Sequence, residues 1–160
     1  MKYALVLLTA IVSLNCRSDE DLRSMMRDEI AKSASKTFYS SQDVIGPYSP
    51  AVQVGPMLFV SGQIGMDPQT GKFADDNIES QTKQALMNLE SVLTKAGFDS
   101  SDIVQCSVYL KNMKDFQRMN LIYGGFFAEN KYPTRTTVEV SNLPRDAKIE
   151  ISAIAFKSNH

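Results

Sequence analysis

From Thr37 onward the apolar residues alternate in short runs and recur at three- and four-residue steps in longer ones, the interleaved pattern of an α+β domain. Ala51-Val-Gln-Val54 and Met57-Leu-Phe-Val-Ser61 flank Gly55-Pro56 and predict a hairpin, with Pro56 in the turn where its missing N–H costs nothing. Asp67-Pro68 and Thr70-Gly71 mark a second turn. Asp76 with Glu79 three residues later reads as a capping box, after which Ile78, Ala85, Leu89, Val92, Leu93 and Ala96 keep helical spacing until Gly97. Val104, Cys106, Val108 and Leu110 form one face of a strand, which makes Cys106 a small buried hydrophobe rather than a reactive thiol. Phe116, Met119, Tyr123 and Phe126 predict a second helix ended before Pro133, and strands follow at about 134–140 and 148–156. The predicted order is β-β-α-β-α-β-β. On the last strand Ile149, Ile151, Ala153 and Ala155 share one face while Ile154 and Phe156 lie on the other, so both faces of the sheet need cover.

The chain ahead of this domain is patterned differently. Lys2 precedes an apolar run, Ala4 to Leu14, too short to span a bilayer as a mature helix, and Asn15-Cys16 and the charged Arg17-Ser-Asp-Glu20 follow. A cysteine just past such a run resembles the bacterial lipoprotein signal, in which it becomes the lipidated first residue of the mature protein. Ser13, Leu14 and Asn15 depart from the usual leucine and small residues of that signal, which leaves a cleaved secretory signal or an uncleaved anchor as alternatives. Residues 1–16 are therefore expected to be the signal, with lipidation at Cys16. Residues 17–43 are expected to be a polar spacer, because Leu22, Met25, Met26 and Ile30 make only a thin apolar stripe. The implied location is a membrane-anchored lipoprotein or an exported protein, with the cytoplasm as the alternative.

Composition narrows the chemistry. At 160 residues, 43% hydrophobic and 22% charged, the chain can bury one core. A net charge of −1 and a pI near 5.8 provide no positive field for a phosphate backbone, so nucleic acid is not an expected partner. The single histidine is His160 and the two cysteines are Cys16 and Cys106, too few and too scattered to close around zinc or iron. No metal site is expected, and no glycine-rich phosphate loop appears.

One constellation carries chemistry. Pro133-Thr-Arg135-Thr-Thr-Val-Glu-Val and Ile149-Glu150-Ile151 put an arginine and a carboxylate on two consecutive strand segments. A guanidinium offers a flat fork of donors matched to a carboxylate, and a strand-borne glutamate can hold or deprotonate a water. The alternative is an ordinary ion pair between the two side chains.

Several motifs together resemble the YjgF/Rid family of reactive intermediate deaminases. They are Ile45-Gly46-Pro47-Tyr48-Ser-Pro-Ala, Phe59-Val-Ser61-Gly62-Gln63-Ile64, Ala96-Gly97 with Asp102-Ile103-Val104, Met119-Asn120 with Tyr123 and Phe126-Phe127, Tyr132-Pro133-Thr-Arg135-Thr-Thr-Val-Glu-Val, and Lys148-Ile149-Glu150-Ile151. They run in order over about residues 45–157, and the domain is expected at 44–158. The resemblance implies a chorismate-mutase-like α+β fold, two helices on one face of a mixed sheet, assembled as a homotrimer with clefts between subunits. It also implies hydrolysis of 2-aminoacrylate and 2-iminobutanoate type enamines and imines to 2-keto acids and ammonia, with no cofactor. By the same resemblance Arg135 clamps the substrate carboxylate, Glu150 positions the attacking water and Tyr48 reaches the site. Gly62 supplies backbone near the substrate, and Asn120 is a polar residue at the cleft. Thr137 stands where the family commonly has cysteine and retains a backbone N–H for the ligand; Ser152 replaces a frequent second glutamate. The alternative activity is binding of small carboxylates, such as keto acids, without turnover. A ribonuclease activity, attributed to some members, is disfavoured by the lack of a basic patch and of a histidine near the site.

Overall fold

The computed structural model describes residues 19–33, 35–40, 46–73 and 75–157. The chain divides into two compact units, residues 1–35 and 36–160. In the first, Asp19–Ser33 forms helix α1, which opens with Asp19, Glu20 and Asp21. The expected spacer is thus helical over this stretch. Its acidic first turn complements the positive end of the helix dipole, and Leu, Met, Arg and Ala carry good helix propensity through the rest. The expected signal and Cys16 lie outside the described residues. No helix among the described residues is long and apolar enough to cross a membrane.

The second unit is an α+β domain. Its elements are β1 (Lys36–Tyr39), β2 (Ala51–Val54), β3 (Met57–Ile64), α2 (Ile78–Lys95), β4 (Ile103–Leu110), α3 (Phe116–Gly124), β5 (Thr134–Glu139) and β6 (Ile149–Phe156). They make one six-stranded sheet in the order β1-β2-β3-β6-β4-β5. All neighbours are antiparallel except β4 and β5, which run parallel because α3 provides the crossover between them. The strand β1 corrects the expected boundary: the sheet begins at Lys36, not at 44. Three of its four residues are exposed and only Tyr39 is half-buried, so this edge strand has no alternating row to betray it.

One face of the sheet is covered by α2 and α3. Leu58, Cys106, Val108, Leu110, Ile149, Ile151 and Ala155 are all completely buried there, against Ala85, Leu89 and Leu93 of α2 and Met119 of α3. The helix α2 is capped by Asn77, whose Oδ1 accepts from the Ser80 N–H at 2.8 Å; the cap is not the expected Asp76. It ends where predicted: Gly97 has φ 78, its N–H reaches the Thr94 carbonyl, and the Phe98 N–H reaches that of Leu93, closing a Schellman motif. The strand β4 departs from strict alternation. Its pairing shifts register between Ile103 and Gln105, so Ile103 is buried and Val104 is 44% exposed, against the expectation that Val104 shares the face of Cys106.

The other face has no covering layer among the described residues of this unit. Phe59 and Phe156 there are 41% and 46% exposed, and Ile154 and Tyr109 are half-buried.

Candidate functional site

Directly paired residues of neighbouring strands share a face, which fixes where each candidate side chain emerges. Arg135 is paired with Cys106, and Cys106 with Ala153, so Arg135 and Thr137 point to the helix-covered side. Glu150 is paired with Tyr109 and Ile64 on the opposite, open side. The strand β4 also lies between β5 and β6. Arg135 and Glu150, consecutive in the sequence pattern, are therefore on different strands, two apart, and on different faces. No ion pair joins them among the described residues, and the simple salt-bridge alternative falls away.

The first group gathers around Arg135. Its guanidinium carbon lies 4.6 Å from the centroid of the Tyr123 ring and 5.6 Å from that of Phe116, both on α3. The strand that carries it is held at both ends. Thr134 Oγ1 donates to the Val104 carbonyl at 2.9 Å, and Glu139 Oε2 accepts the Met113 N–H at 2.6 Å. Thr137 sits two residues along on the same side, and its Oγ1 is buried with no hydrogen-bond partner among the described residues. The Tyr123 hydroxyl is likewise buried, beside the Cys106 thiol, and burial pushes its pKa up, with Cys106 adding to the rise and Arg135 opposing it. Burial also raises the Cys106 thiol, which is completely buried, as its sequence pattern anticipates. Asn120 is half-buried on α3, one turn before Tyr123.

The second group gathers around Glu150. A Cβ built on Gly62 would come within 2.8 Å of Glu150 Cγ and 2.6 Å of its Cδ, so the glutamate side chain occupies the space that any other residue at 62 would take. Gly62 lies in the irregular stretch of β3 between Val60 and Gln63, where the register against β6 shifts. Burial raises the Glu150 pKa, and no ion pair engages it among the described residues. The segment bearing Tyr48 is tied to the same stretch, because Ser61 Oγ donates to the Ser49 carbonyl at 2.7 Å and Ser61 N–H to that of Pro50 at 2.9 Å. Tyr48 itself is 51% exposed.

Helix α2 fixes this second group from beneath. Asn88 Nδ2 donates to the carbonyls of Ile64 and Met66 at 3.0 and 2.8 Å and holds the end of β3. The buried Gln81 accepts the Lys148 N–H at 2.9 Å and holds the start of β6, one residue before Ile149 and two before Glu150. Gly65 lets the strand end approach the Gln81 backbone, since a Cβ there would lie 2.6 Å from the Gln81 carbonyl oxygen. The sequence pattern gave Gln81 no role, for a polar residue at a helical core position carries no signal until its two partners are seen. Ser152, in place of a frequent glutamate, is half-buried on the open face. There it lines a shallow pocket of about 140 Å³ with Phe59, Gln105, Ser107 and Ile154.

Among the described residues no cluster of histidine, cysteine, aspartate and glutamate is arranged to hold a metal. The described residues instead present Arg135, set against two aromatic rings, on the helix-covered side and the half-buried Glu150 on the opposite side.

Comparison with known proteins agrees with this geometry. The family described as Endoribonuclease L-PSP matches residues 39–157. A 2-iminobutanoate/2-iminopropanoate deaminase of Salmonella typhimurium is 44% identical over 115 residues, covering 71% of this chain and 89% of the relative. A RutC family protein of Saccharolobus solfataricus is 54% identical over 114 residues, 71% of this chain and 90% of that one. Among solved structures, Escherichia coli TdcF with bound serine superposes with a TM-score of 0.71 at 38% identity, covering 76% of this chain and 99% of that one. From the match over residues 39–157, the ordered motifs and the shared six-stranded fold, the chain belongs to the Endoribonuclease L-PSP family, the YjgF/Rid group.

Proposed function

We propose that this protein hydrolyses 2-imino acids, and the enamines in equilibrium with them, to 2-keto acids and ammonia. The observation that carries the reading is Arg135, which has no ion pair among the described residues, on the same side of β5 as the buried Thr137 hydroxyl, which has no hydrogen-bond partner among them. A 2-imino acid has a carboxylate adjacent to an electrophilic C=N carbon. Arg135 binds the carboxylate as a fork and fixes the plane of the C=N group, and a water held by Glu150 attacks that carbon. Glu150 takes a proton from the attacking water and delivers it to the nitrogen as the C–O bond forms; carrying the hydroxyl proton of the tetrahedral adduct to the same nitrogen then breaks the C–N bond, leaving the keto acid and ammonia. A carboxyl whose pKa burial has raised is suited to that exchange. Positioning supplies most of what such a reactive substrate requires, so no cofactor enters the scheme. The 44% identity to a named 2-iminobutanoate/2-iminopropanoate deaminase and the serine bound by TdcF support an amino-acid-derived carboxylate as ligand.

Because Arg135 and Glu150 emerge on opposite faces, one protomer cannot supply both to one small ligand. The reading therefore includes assembly: the open face of one copy, with Glu150 and Gly62, packs against the β5 edge of another, with Arg135, Thr137 and Asn120. Tyr48 joins the cleft from its exposed position. A homotrimer closes three such clefts and covers the half-exposed Phe59, Ile154 and Phe156. Cys16 is the proposed lipid anchor of the mature protein. Mass spectrometry of the mature N-terminus and fractionation of Cys16→Ser test it, and a soluble cytoplasmic protein with Met1 intact overturns it.

The test of function is a coupled assay in which threonine dehydratase releases 2-iminobutanoate and the formation of 2-ketobutyrate is followed. Faster release on adding the protein is expected. Tight binding of 2-ketobutyrate without acceleration would replace the deaminase with a carboxylate-binding module.

A further inference from the structure

Guanidinium groups inside proteins are ordinarily held by carboxylates, which use up the same N–H donors that a ligand would need. Arg135 is held differently. The described residues give it no ion pair and no hydrogen bond, only the two aromatic faces of α3, with the Tyr123 ring the nearer at 4.6 Å. A ring face attracts the positive charge and restricts the tilt of the plane without engaging an N–H. The ring itself is fixed: Tyr123 is only 4% exposed, and it packs against Phe127 at 5.0 Å between centroids. Its hydroxyl neighbours the Cys106 thiol, so the part of Tyr123 that meets the guanidinium is the ring.

We infer that Tyr123 is a positioning residue for ligand binding: its ring, with Phe116 as the farther support, holds the Arg135 guanidinium in the orientation that receives a small carboxylate while leaving every guanidinium N–H unspent. The helix α3 thereby sets the geometry of a group borne by β5, and any shift of α3 is felt at the carboxylate clamp. Asn120, one turn earlier on the same helix, moves with it. This inference rests on the reading of Arg135 as that clamp, and the test separates the two.

In the ¹⁵N-labelled full-length protein, the Arg135 Nε–H resonance, identified by its absence in Arg135→Lys, is expected upfield of the position of a free arginine because it lies over a ring face. It should stay there in Tyr123→Phe and move towards the free position in Tyr123→Leu. A wild-type resonance at the free position, or one indifferent to Tyr123→Leu, overturns the positioning role whatever the protein binds. Where the resonance is ring-shifted but 2-ketobutyrate neither binds nor is produced, the positioning stands and the proposed function fails. With 2-ketobutyrate as the binding probe and the coupled assay for turnover, Tyr123→Leu is expected to raise Kd and KM roughly tenfold with little change in kcat, and Tyr123→Phe to alter neither. A loss of kcat at constant KM and constant Kd is the mark of general structural damage and overturns the inference. Should Tyr123→Leu fail to fold, Phe116→Leu must give a smaller shift of the same sign in both the resonance and Kd. No change in either overturns it.

Discussion

The two faces of the sheet are built from the same strands and reach opposite ends. On the helix-covered face, Cys106, Val108, Leu110, Ile149 and Ile151 are completely buried within one chain. On the open face the alternate residues of the same strands, Tyr109, Ile154 and Phe156, remain half-buried or exposed. The first face is finished by packing within the domain; the second is apolar enough to need a cover that the described residues of the domain do not provide. The candidate chemistry is divided along the same line. Arg135 emerges at the rim of the finished face, and Glu150 stands on the unfinished one. Folding and site assembly are thus separable: the first belongs to one face, and the second requires the other.

The strongest way to break this division is to remove one half of the divided site. Arg135→Ala deletes the proposed clamp for a carboxylate, and losing such a charge-assisted contact costs roughly 2–5 kcal/mol. Turnover in the dehydratase-coupled assay is expected to vanish and 2-ketobutyrate binding to weaken, with thermal stability preserved. Wild-type turnover from this variant would leave the site unassigned.

A contrast between faces comes next. Leu89→Ala opens a cavity beneath the finished face, where burial is complete, and should lower stability by about 2–5 kcal/mol in denaturant titration. Phe59→Asp, on the open face, should leave the secondary structure intact by circular dichroism while light scattering falls from three protomer masses towards one. Equal loss of fold in both variants would erase the distinction between the faces.

Gly62→Ala probes the open face more gently. The added methyl must displace the Glu150 carboxyl, and a misplacement of about 1 Å costs on the order of 10²-fold in rate. The expected readout is a fall in kcat with little change in 2-ketobutyrate binding, since Arg135 is untouched.

The smallest effect is one of pH. Burial favours neutral Glu150, so the folded carboxyl releases its proton at a higher pH than the unfolded chain does. Its contribution to stability is complete below the unfolded value, about 4.3, and is lost as pH rises through the folded one. Over that rise the ionised form needed to activate water appears. The acid limb of the kcat/KM profile should therefore lie above the ordinary carboxylate range, and Glu150→Gln should abolish that limb along with most of the rate. A limb at the ordinary value would mean that Glu150 is solvated in the assembled cleft.

Periodicity located β2, β3, β4, β6 and both helices of the domain, because each places a row of apolar residues on one side at a period of two or of 3.6, whereas β5 has Val138 as its one apolar residue and was legible from its β-branched run. Gly97 marked the end of α2 for a local reason, a left-handed residue at a helix stop. Where local signals competed, the sequence was ambiguous. Asp76 and Asn77 are both good caps, and only the backbone shows that Asn77 has the extended conformation a cap requires. The strand β1 buries almost nothing and owes its existence to pairing with β2, so no pattern announces it. The bulge at Val104 inverts the alternation of β4 through one unpaired residue.

The residue types of the candidate site were legible for a similar reason: an arginine, a glutamate, a tyrosine and a glycine in fixed motifs need no coordinates to be noticed. Their arrangement was not. Whether Arg135 and Glu150 meet depends on strand order and on parity counted through β4, both long-range properties set by the crossover of α3. The need for glycine at 62 arises from a glutamate 88 positions later whose side chain fills the space. Chain-local chemistry determined which groups this protein can use. Non-local pairing decided which face each one occupies, because a strand's two sides differ only in what the rest of the fold lays against them.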